Sequence, residues 1–379
     1  MKKKVAIIGA GLAGLNCARH LENNKNIHID IFEKTDRIGG RIKTDKVDGF
    51  LLDHGFQVFL GRYPEAKNSF DYKNLELYPF IPGAMINHEY IGDPLRNISD
   101  LFPTLLSNIG SLKDKLLILK LRYDNINSSK NLSTIQFLKN YGFSNKIIED
   151  FFIPFFSGIF LNKSLSNDSQ FFQFLFKLFS NDNATLPKNG MQDLPLNLAN
   201  QLNKTKINLK SNVEIISKNE IEINNERKRY DFIVKAFPPA STKFHSIFTD
   251  YFWTNNNNKQ KPVLHLFTKK RSNLINHIAP VSLANKNYAP KGKVLYSINF
   301  FNEQPIELIK KELEKLFPNN QFFHIRRYHI KEALPVIGDK AKPENISDFL
   351  IAGDYLETPS INGALVSGRK AASAITTKI

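Results

Sequence analysis

Three glycines and one carboxylate near the start of the chain have the types and spacing that could hold a nucleotide. Gly9-x-Gly11-x-x-Gly14 follows the apolar run Val5-Ala6-Ile7-Ile8, and Leu12, Leu15, Ala18 and Leu21 then recur at helical spacing. A short, fully apolar run suits a buried parallel strand, so the pattern reads as strand, loop and helix. In such a unit Gly9 permits the tight turn, Gly11 lets backbone approach a pyrophosphate, and Gly14 lets helix and strand pack closely. Ala10, Leu12 and Ala13 complete the loop, and the start of the helix offers unpaired N–H groups to phosphate oxygens. A second apolar run, Ile27–Phe32, ends in Glu33, nineteen positions beyond Gly14. A carboxylate there can accept both hydroxyl hydrogens of an adenosine ribose, and it repels a 2′-phosphate.

The same stretch stands behind Lys2–Lys4, and a basic start before an apolar run also opens a secretion signal. The comparison favours the nucleotide reading. "LNCARH" offers no small-x-small cleavage site, whereas the strand, loop, helix and acid account for most residues of the first turn and beyond.

The next residues, "EKTDRIGGRIKT", bring Lys34, Arg37, Gly39, Gly40 and Arg41. Two glycines let a second backbone segment lie against the pyrophosphate, and Arg41 can meet phosphate charge with directed donors. An NAD site has no need of this second clamp. The continuation resembles the family of FAD-dependent amine oxidases, phytoene desaturases and protoporphyrinogen oxidases. The resemblance runs on through "LLDHGFQVFLGRYPEA", where Asp53, Gly55, Phe56 and Gln57 match the segment that passes beside the flavin. "LPKNGMQDLPLNLANQL" resembles the family's P-x-G-G-M segment, with Asn189 in place of the first glycine. Val213 matches the residue whose backbone pairs with adenine, and "YDFIVKAFPPA" the strand that returns to the nucleotide domain. In "FLIAGDYLETPSINGALVSGRKAASAI", Gly353 and Asp354 match the ribityl–phosphate contact. Ile361, Asn362 and Ala364 open a helix aimed at the flavin N1–O2 edge.

The elements that must position these residues are scattered. The resemblance implies an α/β fold: a discontinuous, Rossmann-like FAD-binding domain of the glutathione-reductase type, from residues 1–75, 186–240 and 335–379. Residues 76–185 and 241–334 would form a mixed α+β substrate domain. The first insertion reads as largely helical, with "LFPTLLSNIGSLKDKLLILKLRY" spaced at three and four. The second alternates and suggests strands. The asparagine-rich "TNNNNKQ" reads as a loop.

The chemistry the resemblance implies is transfer of a hydride from a substrate C–H to flavin N5 by a non-covalent FAD. Such a reaction needs no protein nucleophile, and no catalytic residue beyond the cofactor is assigned. A desaturase or oxidase of a lipophilic, isoprenoid-like compound leads. The wording "SINGA…SGR" resembles the desaturase branch, and Ser360 stands where amine oxidases carry an aromatic. The alternatives are an amine or amino-acid oxidase, and a flavin protein without net redox turnover, either an isomerase or a membrane-associated binding module. The electron acceptor stays open between O2, a quinone and others. Gln57 and Tyr328 are substrate-pocket candidates. His54 could shuttle a proton. Of Arg326 and Arg327 at most one can point inward, because neighbours on a strand face opposite sides. "EDFFIPFFSGIFLNKSLSNDSQFFQFLFKLFS" packs phenylalanines that suit a helical core, with a subset lining an apolar tunnel or pressing on a membrane.

Composition narrows the rest. The chain has 379 residues, a formal charge of +16 and one cysteine, Cys17. A single cysteine in the N-terminal helix rules out an internal disulfide and covalent flavin linkage through a C-terminal cysteine. No histidine pair has metal spacing, so no metal site is expected. The lysines are dispersed among asparagines and accompany no nucleic-acid module, which argues against a nucleic-acid partner. They are compatible with peripheral contact to an anionic membrane. No apolar run reaches the roughly 18 residues of a membrane-spanning helix. A cytoplasmic protein, in part peripheral to the membrane, is the expectation.

Overall fold

The computed structural model describes residues 2–124, 132–255, 260–336 and 349–379. A five-stranded sheet carries the N-terminal motif. Its strands run in the order Lys206–Asn208, Ile27–Phe32, Lys3–Ile8, Phe232–Lys235, Leu350–Ile351, and every neighbouring pair is parallel. The central strand is buried from Val5 to Ile8, as its unbroken apolar sequence requires. Helix Leu12–Leu21 covers one face together with the C-terminal helix Ile361–Thr376. These two helices come very close: a Cβ on Gly368 would stand 2.3 Å from the Ala13 carbonyl oxygen. Asn16 adds a side-chain hydrogen bond to the Leu365 carbonyl, at 2.7 Å. The other face is covered by a three-stranded antiparallel sheet, Val213–Ser217, Glu220–Ile223 and Glu226–Arg229, packed on Ala6, Ile8 and Phe32. The fold class read from the sequence is therefore the observed one: a Rossmann-like α/β unit joined to a mixed α+β region.

That second region centres on a seven-stranded mixed sheet. Its order is Phe323–Pro335, Phe244–Asn255, Lys293–Phe300, His277–Ala279, Leu264–Leu266, Gly83–Ile86, Glu89–Gly92. Helix Ile306–Leu316 packs its apolar face against one side. The segment after residue 76 differs from the helical reading at its start, since it opens with strands Leu77–Pro79, Gly83–Ile86 and Glu89–Gly92. The reason is local. Asn87 and His88 both adopt positive φ, which makes a tight hairpin turn of the hand that suits twisted strands. The runs beside it are too short to propagate a helix. Beyond residue 97 the segment is helical, as expected, with Leu101–Leu106, Leu112–Tyr123, Thr134–Tyr141, Ile153–Phe160 and Ser169–Asn181. The middle of "TNNNNKQ", residues 256–259, and residues 337–348 of the C-terminal piece lie outside the described residues.

Candidate cofactor and substrate site

The two glycine motifs, Gly9 to Gly14 and Gly39–Gly40, form one structure. The Gly39 N–H donates to the Ala10 carbonyl at 2.8 Å, and Gly11 and Gly39 pair as an isolated parallel bridge. A Cβ on Gly40, at φ +60°, would lie 3.3 Å from the Gly11 Cα, so the two loops meet backbone to backbone. Gly14 is required for packing. A Cβ there would stand 2.0 Å from the Gly9 carbonyl oxygen. Gly11 precedes helix Leu12–Leu21 with no side-chain cap, and the first turn holds no acid. The helix start is therefore left to a ligand anion.

Glu33 is buried, and part of its accepting capacity is already engaged. Its Oε2 accepts from the Ala10 N–H at 2.9 Å, and its Oε1 from the Thr35 N–H and hydroxyl at 2.9 and 2.8 Å. A carboxylate has about four acceptor sites, so room for ribose hydroxyls remains. The chain at 210–213 runs alongside: the Ser211 N–H donates to the Glu33 carbonyl, and Val213 begins the next strand. Lys34 is exposed. At the opposite end of the chain, buried Asp354 pairs with Arg41 across more than three hundred residues of sequence. The Gly353 N–H donates to the Ser367 hydroxyl of the last helix. Ser360 caps that helix through the Gly363 N–H, at 3.0 Å. Among the three residues expected at its start, Asn362 turns its Oδ1 to the Glu65 N–H, and the Ala364 N–H is engaged by the Ser360 carbonyl. Only the Ile361 and Asn362 backbone N–H groups keep the freedom of a helix start.

Three buried polar atoms in segments flanking this cradle lack a protein partner: Gln192 Oε1, Thr242 Oγ1 and Tyr355 Oη. Unpartnered buried polar atoms are costly. Together with the uncapped helix and the facing glycines, they fit a polar ligand held between the loops. The sequence reading missed Gln192, although it lies in the quoted "PKNGMQ" segment. Its Nε2 holds the Ile38 carbonyl at 2.7 Å, which braces the second glycine loop.

Arg37 is held by protein groups. Its guanidinium binds Asp45 at 2.8 Å and approaches His54 at 3.3 Å. Tyr328 joins the same cluster, with its hydroxyl on Asp45 at 2.8 Å and its ring 4.5 Å from that of His54. Burial works against the Asp45 charge, but hydrogen bonds from Arg37, Tyr328 and His54 outweigh it and hold the carboxyl down at about 2. Burial lowers His54 in spite of Asp45 beside it. Arg326 shares this face, 3.7 Å from Asp45, while Arg327 points to the other side and chelates buried Asp250 at 2.7 Å through two nitrogens. Next door, Asp53 is buried and accepts from Thr44, the Met191 N–H and Tyr288, yet burial still pushes it up to about 6.

Beyond Gly55 lies a cavity of about 490 Å3 with mainly apolar walls. Phe56, Phe80, Phe155, Phe156, Phe176 and Phe179 line it. Val58 lines it too, whereas Gln57 and Tyr328 do not. Extended backbone alternates sides, so Phe56 and Val58 share a face while Gln57 turns its amide toward the Arg41 and His54 carbonyls. The cavity wall is thus made by Phe56, Val58 and the phenylalanines of helices Ile153–Phe160 and Ser169–Asn181, and the two pocket candidates from sequence, Gln57 and Tyr328, lie outside it.

A glycine-bridged double loop on a parallel sheet, closed by an acid from the far C-terminus, defines a dinucleotide flavoprotein. The family model described as flavin containing amine oxidoreductase matches residues 12–263, and the chain belongs to that family. Its cofactor is accordingly a flavin, FAD. It is similar to coproporphyrinogen III oxidase of Staphylococcus aureus, 44% identical over 63 residues, which is 16% of this chain and 14% of that protein. It is also similar to 15-cis-phytoene desaturase of Synechococcus elongatus, 39% identical over 74 residues, 19% of this chain and 15% of the relative. These matches span less than a fifth of the relatives' length. In fold it is similar to an oxidoreductase from Methanosarcina mazei, with TM-score 0.74 and 17% identity over 99% of this chain and 100% of that one. Among the described residues no cluster of three or more metal-ligating side chains occurs, and no helix is long and apolar enough to cross a membrane.

Proposed function

We propose that this protein oxidises or desaturates a lipophilic, isoprenoid-like or tetrapyrrole-like compound, with non-covalently bound FAD. When bound, the cofactor supplies the hydride acceptor. The chain's own residues do the rest. Gly11, Gly40 and the start of helix Leu12–Leu21 would hold the pyrophosphate, Glu33 the adenosine ribose, and Arg41 with Asp354 the phosphate–ribityl end. The cavity that begins at Phe56 would orient an apolar substrate and keep water out. The observation that carries this reading is the wall of phenylalanines, Phe56 among them, that lines the cavity. The two curated relatives act, by name, on a porphyrinogen and on phytoene, which supports the same class of substrate. Non-covalent binding rests on Cys17, the single cysteine, which is fully buried in the first helix with its thiol pushed up to about 12 by burial. In this reading, residues 1–75, 186–240 and 335–379 make the cofactor domain, and the two intervening pieces make the substrate domain.

The test is the visible spectrum of the purified protein, repeated anaerobically with polyenes, porphyrinogens and amines, each delivered in detergent. Flavin bleaching by a polyene or porphyrinogen is the expected result. Bleaching by amines alone would overturn the lipophilic reading in favour of an amine oxidase. Turnover of a compound without any net change of flavin oxidation state would favour an isomerase.

A further inference from the structure

More than half of the large apolar side chains exposed among the described residues fall between residues 95 and 123. Apart from Leu95, in the turn just before, they sit on the 3-10 turn Ile98–Asp100 and the helices Leu101–Leu106 and Leu112–Tyr123. Ile98, Phe102 and Leu106 are 76%, 72% and 80% exposed. On the second helix Leu112, Leu116, Leu119 and Tyr123 recur at four, three and four, which is one face of a helix, and all are exposed. A soluble helix normally turns such a stripe to the core. Here Leu121 does that work, and the exposed stripe is a second one.

The patch is continuous with the cavity. Leu95, Leu105, Leu112, Leu116 and Leu119 are exposed at the surface and also line the cavity wall. A ligand entering there moves from one apolar surface to another.

The charges around the patch are sorted by sign. Asp100 and Asp114 are buried. Asp93 is half-buried against Arg122, and Asp124 is half-buried under the Tyr141 hydroxyl. The exposed charged side chains of this segment are Lys113 and Lys120, both flanking the apolar stripe, and Lys120 also pairs with Asp124 at 3.9 Å. Carboxylates turned inward and lysines outward, on a chain of net charge +16, complement an anionic lipid headgroup layer. A protein partner of ordinary composition would not require that sorting.

We propose that residues 95–123 are a membrane-docking surface, which inserts Ile98, Phe102, Leu106 and the Leu112–Tyr123 stripe into the outer part of an anionic bilayer and opens the cavity to it. The proposal rests on the cavity being the substrate site. Its test does not, because docking is read with no substrate and no turnover.

The experiment is flotation of the FAD-loaded protein with vesicles of phosphatidylglycerol and phosphatidylcholine, and with phosphatidylcholine alone. Wild type is expected to float with the anionic vesicles and to be released by salt. Phe102→Glu combined with Leu106→Glu should weaken partitioning by roughly a hundredfold, the equivalent of withdrawing two large apolar side chains. Lys113→Glu should weaken it by about fivefold and flatten the salt dependence. Phe102, Leu106 and Lys113 are exposed, so the flavin spectrum and melting temperature should match wild type and show that the variants fold. Wild type that stays off anionic vesicles overturns the proposal. So does a Phe102→Glu/Leu106→Glu variant that floats as well as wild type. Concentration-dependent dimers abolished by the same double substitution, without vesicle binding, would assign the face to a second copy instead.

Discussion

The cofactor cradle and the phenylalanine cavity are built on opposite principles. The cradle is made of backbone. Its specificity lies in where side chains are absent: Gly14 under Gly9, Gly40 against Gly11, Gly368 against Ala13. The cavity is made of side chains, with rings from two helices and from Phe56 and Phe80 around a space that the backbone leaves open. A backbone site tolerates almost no added atom. A side-chain site is redundant, because neighbouring rings can shift into part of a lost volume. This difference fits a site of fixed chemistry facing one of adjustable shape.

The sharpest way to break the comparison is Gly14→Val. Its Cβ has no place 2.0 Å from a carbonyl oxygen. We expect complete loss of bound flavin, read from the absorbance of the purified protein, and a loss of about 3 kcal/mol in stability by denaturant unfolding. A yellow, stable variant would show that the cradle is as adaptable as the cavity.

Phe172→Ala should cost at least as much in stability but leave the cofactor in place. Phe172 is fully buried among Phe137, Phe152, Phe156 and Phe176. The expected loss is about 4 kcal/mol, with flavin content per folded molecule unchanged. Phe155→Ala separates lining from core. Phe155 is half-buried and lines the cavity. Its removal should lower stability by only about 1–2 kcal/mol while shifting the affinity for apolar ligands, measured by fluorescence titration. Equal stability losses at Phe155 and Phe172 would merge the two roles.

Ser360→Ala tests the C-terminal arm of the cradle. It removes the cap of helix Ile361–Thr376 and should cost about 1 kcal/mol. Flavin affinity should fall with it if that helix start faces the cofactor.

The smallest effect concerns pH. The Asp45 carboxyl is held at about 2, below its usual value. A depressed carboxylate contributes stability that is full above pH 4 and is lost as pH falls toward 2. Asp45→Asn should flatten that part of the stability profile in thermal melts across pH 2 to 5. An unchanged slope would show that Arg37, His54 and Tyr328 do not act through Asp45.

What the sequence made legible follows from the same contrast. The strand, the glycine turn and the ribose acid are local, and their spacing is dictated by the geometry of a single βαβ unit, so Gly9, Gly11, Gly14 and Glu33 could be read directly. Asp354 was legible through its resemblance to a family pattern, not through any local rule. The strands after residue 76 were missed because runs of four residues carry little periodicity. The Asn87–His88 turn was the available signal.

The sequence alone determined the parallel core strand, the place of the nucleotide turn and the absence of side chains at its contacts, because these depend on the residue types of short stretches and on nothing distant. Only the tertiary structure decided that Gly39 would bridge to Gly11, that Arg41 would meet Asp354, and that Arg37 and Tyr328 would join at Asp45. It also decided which of 31 phenylalanines face the cavity. The reason is that each of these outcomes depends on the rotation and approach of separate elements. That is set by how their apolar faces pack together, and no local pattern in the chain encodes it.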